Sequence, residues 1–128
     1  MTYLLDTHVL LFWLFGDRRL TARASGLIGD PENNVLVSSA SGWEIATKHR
    51  LGKLGGADAL VSDIAGWVEK AGFVELPIRL VHAQRAGSWE NPHRDPFDRM
   101  LAAQSAIESV PLVTSDAALA SFGIATIW

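Results

Sequence analysis

The chain has 128 residues, 11 Lys+Arg against 14 Asp+Glu, a formal net charge of -3 and no cysteine. Hydrophobic residues make up 48% and charged residues 20%, which excludes a disordered chain and predicts one domain, 1–128, burying roughly two-thirds of its unfolded surface. The missing cysteine excludes disulfides, thiolate zinc sites and cysteine nucleophiles, and the mild negative charge excludes a generally basic nucleic-acid binder while leaving room for a local basic path.

Tyr3-Leu4-Leu5 reads as a short buried strand and Thr7–Phe15 as the helix that follows. A second helix fits 21–28, and Asn34–Ser38 is a second strand. Ser39–Arg50 is helical, with Ser39 or Ser41 as N-cap. The stretch 57–71 reads as one helix, with Leu60, Ile64, Trp67 and Val68 on one stripe. A third strand spans 73–76 and stops at Pro77, and 80–86 is a short helix. Pro96–Glu108 is a helix with proline in its first position and Asp95 as cap. A fourth strand covers 110–114, a helical turn 117–121 and a fifth strand 124–128. The apolar start of the chain is interrupted by Asp6, Thr7 and His8, and no run approaches the ~18 apolar residues a spanning helix needs. The expectation is a soluble, cytoplasmic α/β protein: a parallel sheet of four or five strands covered by helices on both faces. In such folds ligands bind outside the carboxyl ends of the strands.

Acids fall at those ends. Asp6 follows the first strand and Asp116 the fourth, Glu44 lies six residues past the second, and Asp98 is in the first turn of the helix leading to the fourth. Helical spacing puts Asp98 on one face with Leu101, Ala102 and Ser105, so it is expected to point inward. Each acid also has a plain structural role: Asp6, Asp95 and Asp116 as N-caps, Asp98 beside a helix N-terminus, and Glu44 in a surface ion pair with Lys48. The combination says more. Two like charges ~4 Å apart repel by about 4 kcal/mol at an effective dielectric of 20, so four converging acids would call for protons or a cation. Hard divalent ions take oxygen ligands, activate water and neutralise a phosphate under attack.

Four stretches carry a family resemblance: Leu4-Leu5-Asp6-Thr7-His8-Val9-Leu10-Leu11, Ser41-Gly42-Trp43-Glu44-Ile45-Ala46-Thr47-Lys48, His93-Arg94-Asp95-Pro96-Phe97-Asp98-Arg99-Met100-Leu101-Ala102-Ala103-Gln104, and Leu112-Val113-Thr114-Ser115-Asp116. In order and over the whole chain, they resemble the PIN-domain ribonucleases, particularly the VapC-type toxins of toxin–antitoxin pairs. The resemblance implies a three-layer α/β/α sandwich. It implies an acidic quartet of Asp6, Glu44, Asp98 and Asp116 that holds Mg2+ or Mn2+, with Glu44 binding metal or orienting the attacking water. Thr7 and Ser115 would support the metal waters or a phosphate, and Asp95 would be a cap in a supporting position. The implied activity is endoribonucleolytic hydrolysis leaving a 3′-hydroxyl and a 5′-phosphate. The implied partners are a second copy of the chain and a VapB-like antitoxin, with DNA bound only through the antitoxin.

Among the remaining residues, Lys48, Arg94 and Arg99 adjoin the acids and are candidate RNA contacts, while Arg18, Arg19 and Arg23 form a basic cluster whose plain reading is a solvated face. The four histidines are dispersed, no pair has zinc-ligand spacing, and His8 reads as a partly buried helix residue. Trp13 and Trp67 read as core, Trp128 as an anchor of the last strand, and Trp43 and Trp89 as interface residues or base-stacking platforms. Two other classes compete with the nuclease. A non-catalytic RNA- or protein-binding module would tolerate loss of the acids. A phosphatase or receiver-like domain would carry Asp-x-Asp or paired acids at the first strand, where this chain has Asp6-Thr7-His8.

Overall fold

The computed structural model describes residues 1–128. Five strands, β1 (Thr2–Leu5), β2 (Asn34–Ser38), β3 (Val74–Leu76), β4 (Leu112–Val113) and β5 (Thr126–Ile127), form one parallel sheet in the order β3-β2-β1-β4-β5. Seven helices surround it: α1 (Thr7–Phe15), α2 (Ala22–Gly29), α3 (Ser39–Arg50), α4 (Asp58–Ser62), α5 (Ile64–Lys70), α6 (Leu80–Ser88) and α7 (Pro96–Glu108), with a 3-10 turn over Ala117–Phe122. The expected parallel sheet between helical layers is the one found.

Strand alternation divides the core in two. Tyr3, Leu5, Val35, Val37 and Val113 face a cluster completed by Val9, Leu10, Ile28, Ile45, Leu60 and Val68. Leu4, Leu36 and Leu112 face the opposite side, against Leu101 and Ala102 of α7 and Leu119 and Phe122 of the 3-10 turn. Both faces of the central strands are therefore apolar, which accounts for their unbroken hydrophobic sequence.

Several local features depart from the sequence reading. The helix expected over 57–71 is two helices, broken at Asp63, whose backbone is extended (φ -160°, ψ 71°) and whose carboxylate accepts from the Gly66 amide at 3.0 Å to restart the chain as α5. The apolar stripe ran through this break and concealed it. Trp67, expected in the core, is 40% exposed and donates its indole N–H to the Ala59 carbonyl. The cap of α3 is Ser38, whose hydroxyl accepts from the Ala40 amide, rather than Ser39 or Ser41. The fourth and fifth strands are two-residue segments, shorter than expected. No helix is long and apolar enough to cross a membrane.

Candidate functional site

The chain runs outward from β1 through β2 to β3, then returns to place β4 on the other side of β1. The junction of β1 and β4 is thus the switch point of the sheet, where a crevice opens at the carboxyl ends. Leu5 pairs with Val113, so the residues leaving the two strands meet there.

Asp6 leaves β1 buried. Its Oδ1 accepts from the His8 amide at 2.9 Å as the cap of α1, and its Oδ2 accepts from the Thr114 hydroxyl at 2.6 Å. Burial pushes its carboxyl up, but the bonds from His8 and Thr114 outweigh that and hold it below the usual carboxylate range. Asp116 follows β4. Its amide donates to the Thr114 hydroxyl at 3.0 Å, and its exposed carboxylate accepts from the Ala118 amide as a cap. Thr114 therefore ties the two acids together. Thr7, buried behind Asp6, shares a 2.8 Å hydroxyl–hydroxyl hydrogen bond with Ser41, which fixes the start of α1 against the first turn of α3.

Asp98 sits in the first turn of α7, half-buried, with His93 Nε2 at 2.9 Å from its Oδ2. Its carboxyl is pushed up to about 6, chiefly by burial; the bond to His93 works against this, and the nearby negative charges of Asp95 and Asp6 add to it. Asp95 caps α7, its Oδ1 accepting from the amides of Phe97 and Asp98. Glu44, whose plain alternative is a surface ion pair, does pair with Lys48, but as a buried carboxylate (side chain 3% exposed) whose Oε2 meets the Lys48 ammonium at 2.5 Å, one helical turn on.

These acids do not close a chelating cluster: no three His, Asp or Glu side chains are arranged to hold a metal ion by themselves. The reason is visible in their partners. Thr114 and His8 hold Asp6, His93 holds Asp98, Lys48 holds Glu44, and the start of the 3-10 turn after β4 holds Asp116. The donor chemistry nevertheless suits a hard cation. All the candidate ligands are carboxylate oxygens, and Asp98 resists ionisation chiefly because it is buried, with the charges of Asp95 and Asp6 adding to this; a cation would favour its ionised form. Mg2+ is commonly held by one or two carboxylates with water filling the remaining positions, so a closed cage is not required.

The basic candidates separate. Lys48 is half-buried over Glu44, and Arg94 is exposed. Arg99, expected to reach RNA, is turned inward: Nε donates to the Ala86 carbonyl, Nη1 to those of Asn91 and His93, and Nη2 to that of Trp89. It fastens the loop that carries His93. Arg19 is bound to Asp17 and lies over the Phe12 ring. His8 is exposed rather than partly buried, with Nδ1 3.6 Å from Asp6. Beside the acids, Trp43 on α3 is 58% exposed and meets Phe97 on α7 edge to face at 4.7 Å.

The two contacts that sequence reasoning missed are those of Thr114 and His93. Ser115, the residue named for the supporting role, is exposed, whereas Thr114 is the buried hydroxyl at the acids. Parallel register could have found it, because the residue after Val113 must lie beside the residue after Leu5. His93 had only its spacing of five residues from Asp98 as a signal.

No curated protein matches the chain in sequence. Among solved structures, it is similar to VapBC2 from Rickettsia felis bound to a DNA fragment from their promoter: TM-score 0.72 and 13% identity over 99% of this chain and 98% of that one. It is also similar to VapBC-1 from nontypeable Haemophilus influenzae, with TM-score 0.66 and 17% identity over 99% and 97% of the two chains. FitAcB from Neisseria gonorrhoeae gives TM-score 0.66 and 18% identity over 98% and 96%. At these identities the likeness is one of fold. The family model described as PIN domain matches residues 3–124, so the chain belongs to the PIN-domain family.

Proposed function

We propose that the chain is the toxin subunit of a VapC-type toxin–antitoxin pair and acts as a Mg2+- or Mn2+-dependent endoribonuclease. One observation carries the reading: β1 delivers the buried Asp6 carboxylate to the switch point of the sheet, and α7 delivers the half-buried Asp98 carboxylate near enough for the Asp6 charge to add to the burial that pushes it up. These two would hold the ion, with Asp116 and Glu44 acting directly or through water. A bound divalent ion supplies a water of lowered pKa and neutralises charge on the phosphate. The chain's own residues do the rest. Thr114 fixes the inner oxygen of Asp6, Asp95 sets the first turn of α7, and His93 orients Asp98. Glu44 accepts a hydrogen bond from the attacking water, while Thr7 keeps α1 seated against α3. Lys48 and the exposed Arg94 supply positive charge for the RNA backbone. The products are a 3′-hydroxyl and a 5′-phosphate.

The antitoxin partner is supported by the structural neighbours, among them a toxin–antitoxin complex from Klebsiella pneumoniae and VapBC2 bound to a promoter DNA fragment. In this reading DNA is reached only through the VapB-like antitoxin. Exposed Trp43, Ile78, Leu80 and Val81 provide apolar surface for a homodimer and for the antitoxin. The protein works in the cytoplasm, as one domain.

A second reading, a non-catalytic RNA- or protein-binding module, is favoured by the fact that each of the four acids already has a protein partner. Purified chain, freed of antitoxin and incubated with total cellular RNA in Mg2+, Mn2+ or EDTA, separates the two. The nuclease gives discrete metal-dependent fragments that are absent from an identically purified Asp98→Asn variant. Folded protein that cleaves nothing under any metal condition would favour the binding module.

A further inference from the structure

Lys48 is ion-paired with the buried carboxylate of Glu44. Glu44 and Lys48 lie one turn apart on α3, so the helix itself holds the ammonium against the carboxylate. The Glu44 side chain is buried at 3% exposure and the Lys48 side chain is 34% exposed, so the lysine lies on the solvent side of the pair. One oxygen of Glu44 is taken by Lys48 Nζ, while Oε1 bonds no protein group and stays free to accept from water. No lysine or arginine bonds the Asp98 carboxylate: His93 is the only side chain bonded to it, and the neighbouring charges acting on it include those of Asp95 and Asp6. Arg99, close in sequence, is occupied with four backbone carbonyls. A lysine is thus bonded directly to Glu44, and no lysine or arginine is bonded to Asp98.

We propose that the site binds a single divalent ion, on the Asp6–Asp98 side, and that the Lys48 ammonium replaces a second ion on the Glu44 side. Glu44 then orients water through Oε1 and is not a metal ligand. Displacing Lys48 would break its ion pair with the buried Glu44 carboxylate, a loss a second ion would have to offset. The inference rests on the metal-dependent reading above, and its test keeps the two apart.

The test is Mn2+ binding to the purified full chain, counted from the free-ion electron paramagnetic resonance signal. The wild type takes up one equivalent. Glu44→Gln still takes up one with unchanged affinity, whereas Asp98→Asn loses roughly tenfold or more. Lys48→Met, checked for folding by circular dichroism, gains a second, weaker equivalent at Glu44. Two equivalents in the wild type, a weakened Glu44→Gln, or a folded Lys48→Met that still takes only one would overturn the proposal. The first two of these need no Lys48 variant. No Mn2+ binding at all by folded wild type would overturn the metal-dependent reading itself.

Discussion

The Thr114 hydroxyl donates to Asp6 Oδ2 at 2.6 Å, joining two residues 108 positions apart in the chain. The same oxygen accepts from the Asp116 amide, so one side chain sets the position of two acids at the ends of β1 and β4. Thr114→Val removes this bond at nearly constant volume. A hydrogen bond to a charged group contributes roughly 1.5–3 kcal/mol, so urea unfolding should show a loss of about 2 kcal/mol. RNA cleavage should fall by roughly tenfold, as expected when the support of a metal ligand is removed. Thr114→Ser should retain most of both.

Metal-free protein should lose stability as pH rises through about 6, because of Asp98. The unfolded chain releases this proton near 3.8, whereas the folded chain holds it to about 6. Between those values the folded state binds the extra proton, so stability declines with rising pH. Asp6 works in the opposite sense: its lowered carboxyl contributes stability above 3.8 that is lost as pH falls through its folded value. Thermal unfolding in EDTA at pH 5 and pH 7 measures the Asp98 effect, which Asp98→Asn should flatten. Adding Mn2+ at pH 7 should restore the wild type and leave the variant unchanged.

Arg99→Met should loosen the loop between α6 and α7 without altering the salt dependence of RNA binding. The guanidinium reaches four carbonyls at 2.5–2.8 Å, a spread that a lysine ammonium cannot span. We expect a loss of about 3 kcal/mol by chemical denaturation, given the strength of charged hydrogen bonds and their incomplete additivity. Amide exchange should rise at residues 89–93. A flattened salt slope with unchanged stability would return Arg99 to the RNA contacts.

Asp95→Asn should be far milder than Asp98→Asn. Asparagine caps a helix about as well as aspartate, so the amides of Phe97 and Asp98 keep their acceptor. Removing the Asp95 charge should also lower the Asp98 carboxyl, since Asp95 helps to raise it. Steady-state cleavage by the two purified variants is the check, and equal inactivation would place Asp95 among the catalytic groups.

The parts of this protein that could be read from its sequence are those fixed by local chemistry. Proline at the start of α7 with Asp95 before it, and the apolar triplet of β1 followed by Asp6, each declare an element and its end. The parts that could not be read depend on the third dimension. Asp63 breaks a helix inside an unbroken apolar stripe because its side chain satisfies the Gly66 amide. Arg99 resembles a phosphate contact until the loop it binds is in place. Thr114 and Ser115 are equivalent in sequence, and only the pairing of β4 with β1 turns the former toward Asp6. The burial of Glu44 beneath its partner Lys48 likewise follows from how α3 packs against the rest of the chain.

The central claim is hydrolysis of RNA at the Asp6–Asp98 edge by water and a divalent ion, and the chemistry of the cut ends tests it most directly. Wild-type protein should leave 5′-phosphate and 3′-hydroxyl ends, in Mg2+ or Mn2+ but not in EDTA, and Asp98→Asn should leave none. Cleavage that persists in EDTA and leaves 2′,3′-cyclic phosphate ends would contradict the account and point to attack by the RNA's own 2′-hydroxyl, assisted by groups such as His8.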